Sequence, residues 1–224
     1  DGFLCPMANM LMGATVEEYI AKEMKVSRAD QDAFALRSQQ LAEKAWASGA
    51  YKTETFVIPG DDKNPALESD EHRRAQTTLE SLAKLPPVFD PKNGSVTAGN
   101  ASGITDGAAF VHVGSVRTAG SEAEILDYET VALDPKRMGL GPIPAVTNLL
   151  KRQGLTIQDI DAFEINEAFA AQVLSVVKML GSKAFARERL GRDEAVGEID
   201  PGRLNVHGGS VALGHPFGAT GVRM

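Results

Sequence analysis

Cysteine is almost missing from this chain: Cys5 is the one thiol in 224 residues. That excludes an intrachain disulfide framework and a cysteine-rich zinc site, and it suits a reducing compartment. Excess positive charge is also missing, with 23 Lys and Arg against 30 Asp and Glu and a formal charge of −7. A binder of phosphate backbones needs a clustered basic face, so nucleic acid is not an expected partner. Only Arg73 and Arg74, beside Lys84, hint at a local anion site. Long apolar runs are missing too. The longest stretch without Asp, Glu, Lys or Arg is Leu204–Val222, which carries five glycines, two histidines and a proline, so no transmembrane helix is expected. The opening DGFLCPMANM has neither the basic start nor the apolar block of a secretory signal. It also lacks an initiating Met, and the chain stops at GATGVRM just where a helix is starting. Both ends are expected to be cuts through a longer protein.

What is present is ordinary globular material: 43% apolar and 24% charged residues, enough for a buried core in one large domain or two small ones. Residues 1–90 read as mainly helical. Thr15–Met24 places Val16, Ile20 and Met24 at helical spacing, and Ser27 is the expected N-cap of a second helix that Gly49 stops. Ala33, Phe34, Leu36, Leu41, Ala45 and Trp46 supply its expected buried face. Thr53–Pro59 reads as a short strand and Thr78–Leu85 as a further short helix. From residue 95 the texture turns to α/β. Ala108–Ser115, Glu124–Leu133 and Asp161–Ile165 read as strands, Pro142–Gly154 and Glu167–Gly181 as helices, the last apolar all round and so expected between layers.

Three segments could carry chemistry. Asn166, in EINEAFAAQ, stands between a strand and a helix. It either caps the helix or faces a ligand crevice at the strand's carboxyl end, where a carboxamide can hold a water or a substrate oxygen without titrating. NVHGGSVALGHPFGATG, Asn205–Gly221, frames His215 between a glycine and a proline on a turn, which favours acid–base work over a structural role. His207 has no zinc spacing and no neighbouring carboxylate, so it reads as structural and no metal site is expected. TAGNASGITDGAA, Thr97–Ala109, exposes backbone with Asn100 and Ser102 as polar handles, but lacks both the dinucleotide GxGxxG and a P-loop lysine. Met12, Met138 and Phe169 fit either core packing or an apolar channel. Cys5, with no cationic neighbour, reads as inert.

Taken together and in order, VTAGNASGITDGAA, EINEAFAAQ and NVHGGSVALGHPFGATG resemble the thiolase family, the acetyl-CoA acyltransferases. LMGATVEEYI, SRADQDAFALRSQQLAEKAW, LAKLPPVFD and RMGLGPIPAV extend the resemblance from about Gly2 to Arg223. It implies a five-layer α-β-α-β-α fold, here partial. Residues 1–103 would be a mostly helical loop domain on the CoA-binding side. Residues 104–120 would be the returning strand of the N-terminal half, and 121–224 the truncated C-terminal half.

The resemblance also implies the chemistry. A cysteine attacks an acyl-CoA, and the acyl-enzyme exchanges with CoA or an acetyl carbanion. His215 matches the catalytic histidine, favouring a thiolate and donating to the thioester oxygen, and Asn166 matches the asparagine that holds a water at the same oxyanion site. Ser102, Leu11, Met12, Met138 and Phe169 match positions bordering the pantetheine channel, and Arg74 matches a basic residue near the CoA phosphates. No cofactor is expected to be permanently bound; CoA and acyl-CoA enter as substrates. Leu11 stands where many members have histidine, and the segment 181–203 resembles the longer fatty-acid β-oxidation branch, which often has HEAFA where this chain keeps Asn166. The family's two catalytic cysteines fall before residue 1 and after Met224, so the chain alone is expected to be inactive. The whole protein is expected to be a homodimer or homotetramer, or part of a β-oxidation complex, cytoplasmic in a bacterium and mitochondrial or peroxisomal in a eukaryote. The alternatives are a ketoacyl synthase, whose His/His/Cys arrangement differs, and a non-catalytic thiolase-like acyl-CoA or sterol-carrier binding protein.

Overall fold

The longest element begins and ends where the sequence marks it. In the computed structural model, which describes residues 2–115 and 123–224, helix α2 spans Arg28–Ser48; Ser27 accepts from the Asp30 N–H at its start, and Gly49 takes a left-handed φ of 78° at its end. Its buried face is not the expected apolar one. Phe34 and Ala45 are buried, but Ala33 is exposed, and the inward positions also include Gln31, Asp32, Ser38 and Gln39. Buried polar groups persist only when bonded, and each of these holds a loop. Gln31 donates to Ser95 Oγ at 2.9 Å, Asp32 accepts from Asn100 at 2.9 Å, Ser38 donates to Glu167 at 2.5 Å, and Gln39 accepts from the Arg74 N–H at 2.9 Å. The helix is a rail to which loops are fastened.

The first helix starts earlier than its periodicity predicts. A two-residue hairpin, β1 (Leu4–Cys5) against β2 (Met10–Leu11), leads into α1 (Met12–Val16), which widens into a π-turn at Glu17–Ala21. The widened turn carries the fully buried Glu17 inward, where its carboxylate accepts from the Ser95 and Val96 N–H groups (2.8 and 2.7 Å) and from Ser95 Oγ (2.8 Å). Helix α3 (Leu79–Ala83) follows a capping box between Thr78 and Ser81. Helix α4 (Pro142–Gln153) has proline in its first turn and stops at Gly154, whose φ is 67°. Helix α5 (Ala170–Leu180) is the centre of the core: Ala170, Ala171, Val173, Val176 and Leu180 are fully buried and pack with Ile20, Phe34, Ile143 and Ile157. The described residues also form 3-10 turns at Pro135–Leu140, Ile157–Asp159 and Pro201–Arg203, and helices α6 (Lys183–Leu190), α7 (Ser210–Leu213) and α8 (Phe217–Arg223). Among the described residues no helix is long and apolar enough to cross a membrane.

The strands are where sequence and structure part. Thr53–Pro59 makes only one bridge, Ile58 with Leu67, and Asp161–Ile165 only a parallel bridge, Phe163 with Leu204. Ala108–Ser115 and Glu124–Leu133 form no ladder among the described residues, and Phe110, Ile125 and Tyr128 stand 95, 73 and 80% exposed. The reason is physical: alternation gives a segment the side chains of a strand, but the strand exists only where a neighbour takes its N–H and C=O groups. No described strand pairs with either of these two. The second is held instead by side chains, with Arg152 of α4 clamping Asp127, Glu129 and the Tyr128 carbonyl. The expected returning strand at 104–120 and the expected domain boundary after residue 120 fall partly outside the described residues.

Removing the Glu17 carboxylate leaves buried N–H groups at 95 and 96 with no acceptor, at about 1–3 kcal/mol each. Glu17→Ala is therefore expected to lower the unfolding free energy of the whole protein by several kcal/mol in a urea titration, while Glu18→Ala, one residue along on the exposed side, leaves it within error.

Candidate active site

Two chain segments meet at the site, and one buried carboxylate fixes their separation. The first is 165–167, held by Asn205: its Oδ1 accepts from the Ile165 N–H at 2.8 Å, while its Nδ2 donates to the Ile165 carbonyl at 2.8 Å and to Glu167 Oε1 at 2.9 Å. The second is the turn 208–215. Glu167, fully buried, bonds to both. Its Oε2 accepts from Ser38 Oγ and, at 3.2 Å, from the Val211 N–H, and Ser38 Oγ in turn accepts from the Gly209 N–H at 3.1 Å. Burial pushes the Glu167 carboxyl above its ordinary range, and the three donors push back. Glycine is required here. A Cβ at Gly209 would lie 2.4 Å from the Glu167 carboxyl carbon, and one at Gly208, where φ is +76°, would meet the Ser38 carbonyl oxygen at 2.5 Å.

Asn166 is not a helix cap. Helix α5 begins four residues later at Ala170, with Phe169 in the cap position. Its carboxamide instead lies between Ser210, whose Oγ donates to Oδ1 at 2.6 Å, and His215, whose Nε2 lies 3.2 Å from Nδ2. His215 leaves the turn through Gly214, which has a φ of +86°, and its backbone N–H is anchored on the Gly103 carbonyl at 3.0 Å. Its other ring nitrogen, Nδ1, is 2.7 Å from Thr220 Oγ1, and that hydroxyl donates its own hydrogen to the Pro216 carbonyl at 3.0 Å.

One arrangement of protons satisfies all of these contacts: Thr220 gives its hydrogen to Pro216 and accepts from Nδ1, and Nε2 is a lone pair that accepts from Asn166 Nδ2, with Oδ1 toward Ser210. The histidine is a neutral base with its free nitrogen toward the carboxamide. Burial, reinforced by the positive charge of Arg223, lowers its pKa below the ordinary histidine value, which keeps it neutral near pH 7.

Beside this pair lies a cavity of about 860 Å³ with mostly apolar walls. Leu11 and Met12 line one side, Met138 another, and Phe169 the base of α5; Ser102, Asn166 and His215 contribute the polar part. Seven of the eight residues singled out from the sequence therefore border one space. Arg74 does not: it is exposed on the segment before α3, with its N–H on Gln39. Cys5 and His207 also lie off the wall, His207 exposed with its carbonyl accepting from Tyr51. Asn100 is a fully buried brace between Thr97 and Asp32. Sequence reasoning missed Glu167, Ser210 and Thr220. Each stands beside or a turn away from a residue it did select, and hydroxyl or carboxyl neighbours of a candidate acid–base residue are the signal that could have found them.

The fold and site set a His/Asn pair at the wall of a mostly apolar cavity. The family model for the thiolase N-terminal domain matches residues 1–116 and that for the thiolase C-terminal domain matches 120–224. The chain belongs to the thiolase family and has its α/β fold. It is 46% identical over 219 residues to the 3-ketoacyl-CoA thiolase of Shewanella amazonensis, and 44% over 223 residues to that of Pseudoalteromonas translucida, covering 95% of this chain and 50% of the relative in both cases. The chain thus spans about half the length of the curated relatives it matches. Among solved structures, human mitochondrial 3-ketoacyl-CoA thiolase in complex with CoA aligns with a TM-score of 0.77 at 36% identity, over 99% of this chain and 52% of the other. The Bacillus anthracis acetyl-CoA acetyltransferase aligns with a TM-score of 0.80 at 36% identity, over 99% and 53%.

The charge state is directly measurable. In a proton NMR titration the His215 ring is expected to titrate below the ordinary histidine midpoint. Arg223→Gln should raise that midpoint without restoring the ordinary value, because burial, the larger cause, remains.

Proposed function

We propose that the full-length protein is an acyltransferase that cleaves 3-ketoacyl-CoA with CoA, giving acetyl-CoA and a shortened acyl-CoA, and that it runs in reverse as a condensation. The single observation that carries the reading is the His215 Nε2 lone pair set 3.2 Å from Asn166 Nδ2 at the wall of an apolar cavity. Family membership and the CoA-bound human relative support it. The nucleophile in this proposal is a cysteine elsewhere in the full-length protein, since Cys5 does not border the cavity.

In the first half-reaction the cysteine's proton passes to Nε2 of His215, and the thiolate attacks the 3-keto carbon. The bond between the second and third carbons breaks, and its electron pair leaves with acetyl-CoA as an enolate, which is then protonated. CoA's thiol takes the acyl group in the second half and returns the cysteine. The protonated Nε2 and the Asn166 amide, through a water, are donors for the thioester oxygen as negative charge gathers there. A neutral histidine can accept a proton and then donate it back, which an imidazolium already charged at rest cannot do. Leu11, Met12, Ser102, Met138 and Phe169 border the pantetheine and acyl path, and Arg74 reaches the CoA phosphates from outside the wall. The reading extends to a homodimer or homotetramer, to membership of a β-oxidation complex, and to the division at 103 and 120.

The test is CoA-dependent cleavage of 3-ketoacyl-CoAs of several chain lengths by the full-length protein. His215→Ala is expected to lower the rate about 10²–10⁴-fold, and Asn166→Ala about 10²–10³-fold, corresponding to the 2.7–4 kcal/mol typical of a lost oxyanion donor, roughly. A folded protein that binds CoA but cleaves nothing overturns the proposal and leaves the non-catalytic acyl-CoA binder.

A further inference from the structure

The Asn166 carboxamide can occupy its place in two orientations that differ by exchanging oxygen and nitrogen. They are chemically opposite. With Nδ2 toward the histidine, the site offers N–H donors to Nε2 and to the cavity; with Oδ1 there, it offers an acceptor, which favours a proton on Nε2. Glu167 and Asn205 fix the backbone on both sides of residue 166 but touch neither end of its amide. The end away from the histidine is held by Ser210, whose hydroxyl donates to Oδ1 at 2.6 Å.

We propose that Ser210 is a positioning residue that sets the orientation of the Asn166 carboxamide, and through it the proton state of His215. Three observations carry this. Ser210 is 1% exposed, so water does not compete for its hydrogen bond. It is the first residue of α7, directly after the Gly208–Gly209 turn that Ser38 and Glu167 hold, so the hydroxyl is placed by the same ties that place the site. Its hydroxyl lies on Asn166 while the far side of His215 is occupied by Thr220, so Ser210–Asn166–His215–Thr220–Pro216 is one continuous hydrogen-bonded chain. Removing the first donor leaves that order without its start. The hydroxyl could in principle accept an N–H from a flipped amide, but Nδ1 must then surrender its proton or Nε2 must gain one. The charge bearing on the ring is that of Arg223, on α8. Asn166, Thr220 and Phe217, which touch the ring, and the 103–105 segment beneath it carry none.

The inference rests on the proposed thiolase reading, and its test has a readout independent of it. In the full-length protein with ¹⁵N-labelled histidine, the His215 resonance assigned by a His215→Gln control reports both protonation sites. The unsubstituted protein is expected to show Nδ1 protonated and Nε2 bare. In Ser210→Ala the amide is free to present Oδ1, and the midpoint for protonating Nε2 should move up in pH. With it, the acid limb of the pH–rate profile should move up and kcat should fall about 10-fold, less than the 10²–10³-fold of a donor removed outright, with KM unchanged. Ser210→Thr, which keeps the hydroxyl, should restore both. Ser210→Cys, of similar size with a weaker donor, should shift the midpoint less in the same direction, and it decides the matter if the alanine variant does not fold. An unmoved midpoint in Ala and Cys variants overturns the inference, and so does a loss of activity with the ring unchanged. If the unsubstituted protein cleaves no 3-ketoacyl-CoA, the function reading fails while the ring titration still decides the role of Ser210.

Discussion

A carboxylate buried out of contact with water organises this structure. Glu167 has no exposed surface, and among the described residues nothing of opposite charge pairs with it at hydrogen-bond distance; its partners are an amide, a hydroxyl and a backbone N–H. Desolvation alone would drive such a group to take up a proton. The partners offset that cost only if all three stand in the right places, which turns an electrostatic penalty into a geometric requirement. Ser38 lies on α2, while Asn205 and Val211 flank the Gly208–Gly209 turn far along the chain from it. Meeting around one carboxylate, they hold the strand end at Ile165, the rail helix α2 and the glycine turn before α7 in a single arrangement. Asn166 and Ser210 inherit their positions from it.

The same device recurs at the other end of α2. Glu17 gathers the backbone of Ser95 and Val96, while Asp32, itself bridged by Arg28 at 2.8 Å, takes the Asn100 amide. These ties set the path of the glycine-rich stretch from Thr97, so that Ser102 can donate its N–H to the Ala168 carbonyl and Ala101 can bridge Phe169. Loops of small residues have high conformational entropy and little side-chain surface to bury. Apolar packing cannot fix them; buried polar bonds can, because leaving one unmade costs more than making it gains. That explains why α2 turns glutamine, aspartate and serine inward. The apolar core around α5 stabilises the chain, and the polar rail aims it.

The sequence made the helices legible because their signals are local. Ser27, Thr78, Gly49 and Gly154 act within one turn of themselves, and the structure keeps all four boundaries. Strands were not legible in the same way. Phe110, Val111 and Val113 or Ile125 and Leu126 have the side chains of a buried sheet, yet pairing is a property of two segments, and no described strand pairs with these. Asn166 shows a subtler limit. A capping asparagine and a ligand-facing asparagine are the same residue after the same strand, and the difference lies in Asn205 and Glu167, which delay α5 to Ala170. Seven of the eight residues singled out from the sequence border one cavity, and they lie in or beside its distinctive motifs. Arg74 was harder to place, since an exposed arginine before a short helix carries no signal of what it faces.

The proton order at the site follows from a detail as small as the hydrogen count on a hydroxyl. Thr220 sits in the first turn of α8 and gives its hydrogen to the Pro216 carbonyl, as an ordinary helix side chain does. With its hydrogen there, the hydroxyl accepts from Nδ1, and the tautomer that matches this arrangement aims its lone pair at Asn166. Had the hydroxyl been free to turn, Nδ1 could equally have been the bare nitrogen, and Nε2 would have carried a hydrogen into the space where a base is needed. The helix start and the base are thus one construction: the proline that ends the turn at His215 also supplies the carbonyl that orients Thr220. A local rule of helix formation ends up selecting the chemical identity of a ring nitrogen at the cavity wall.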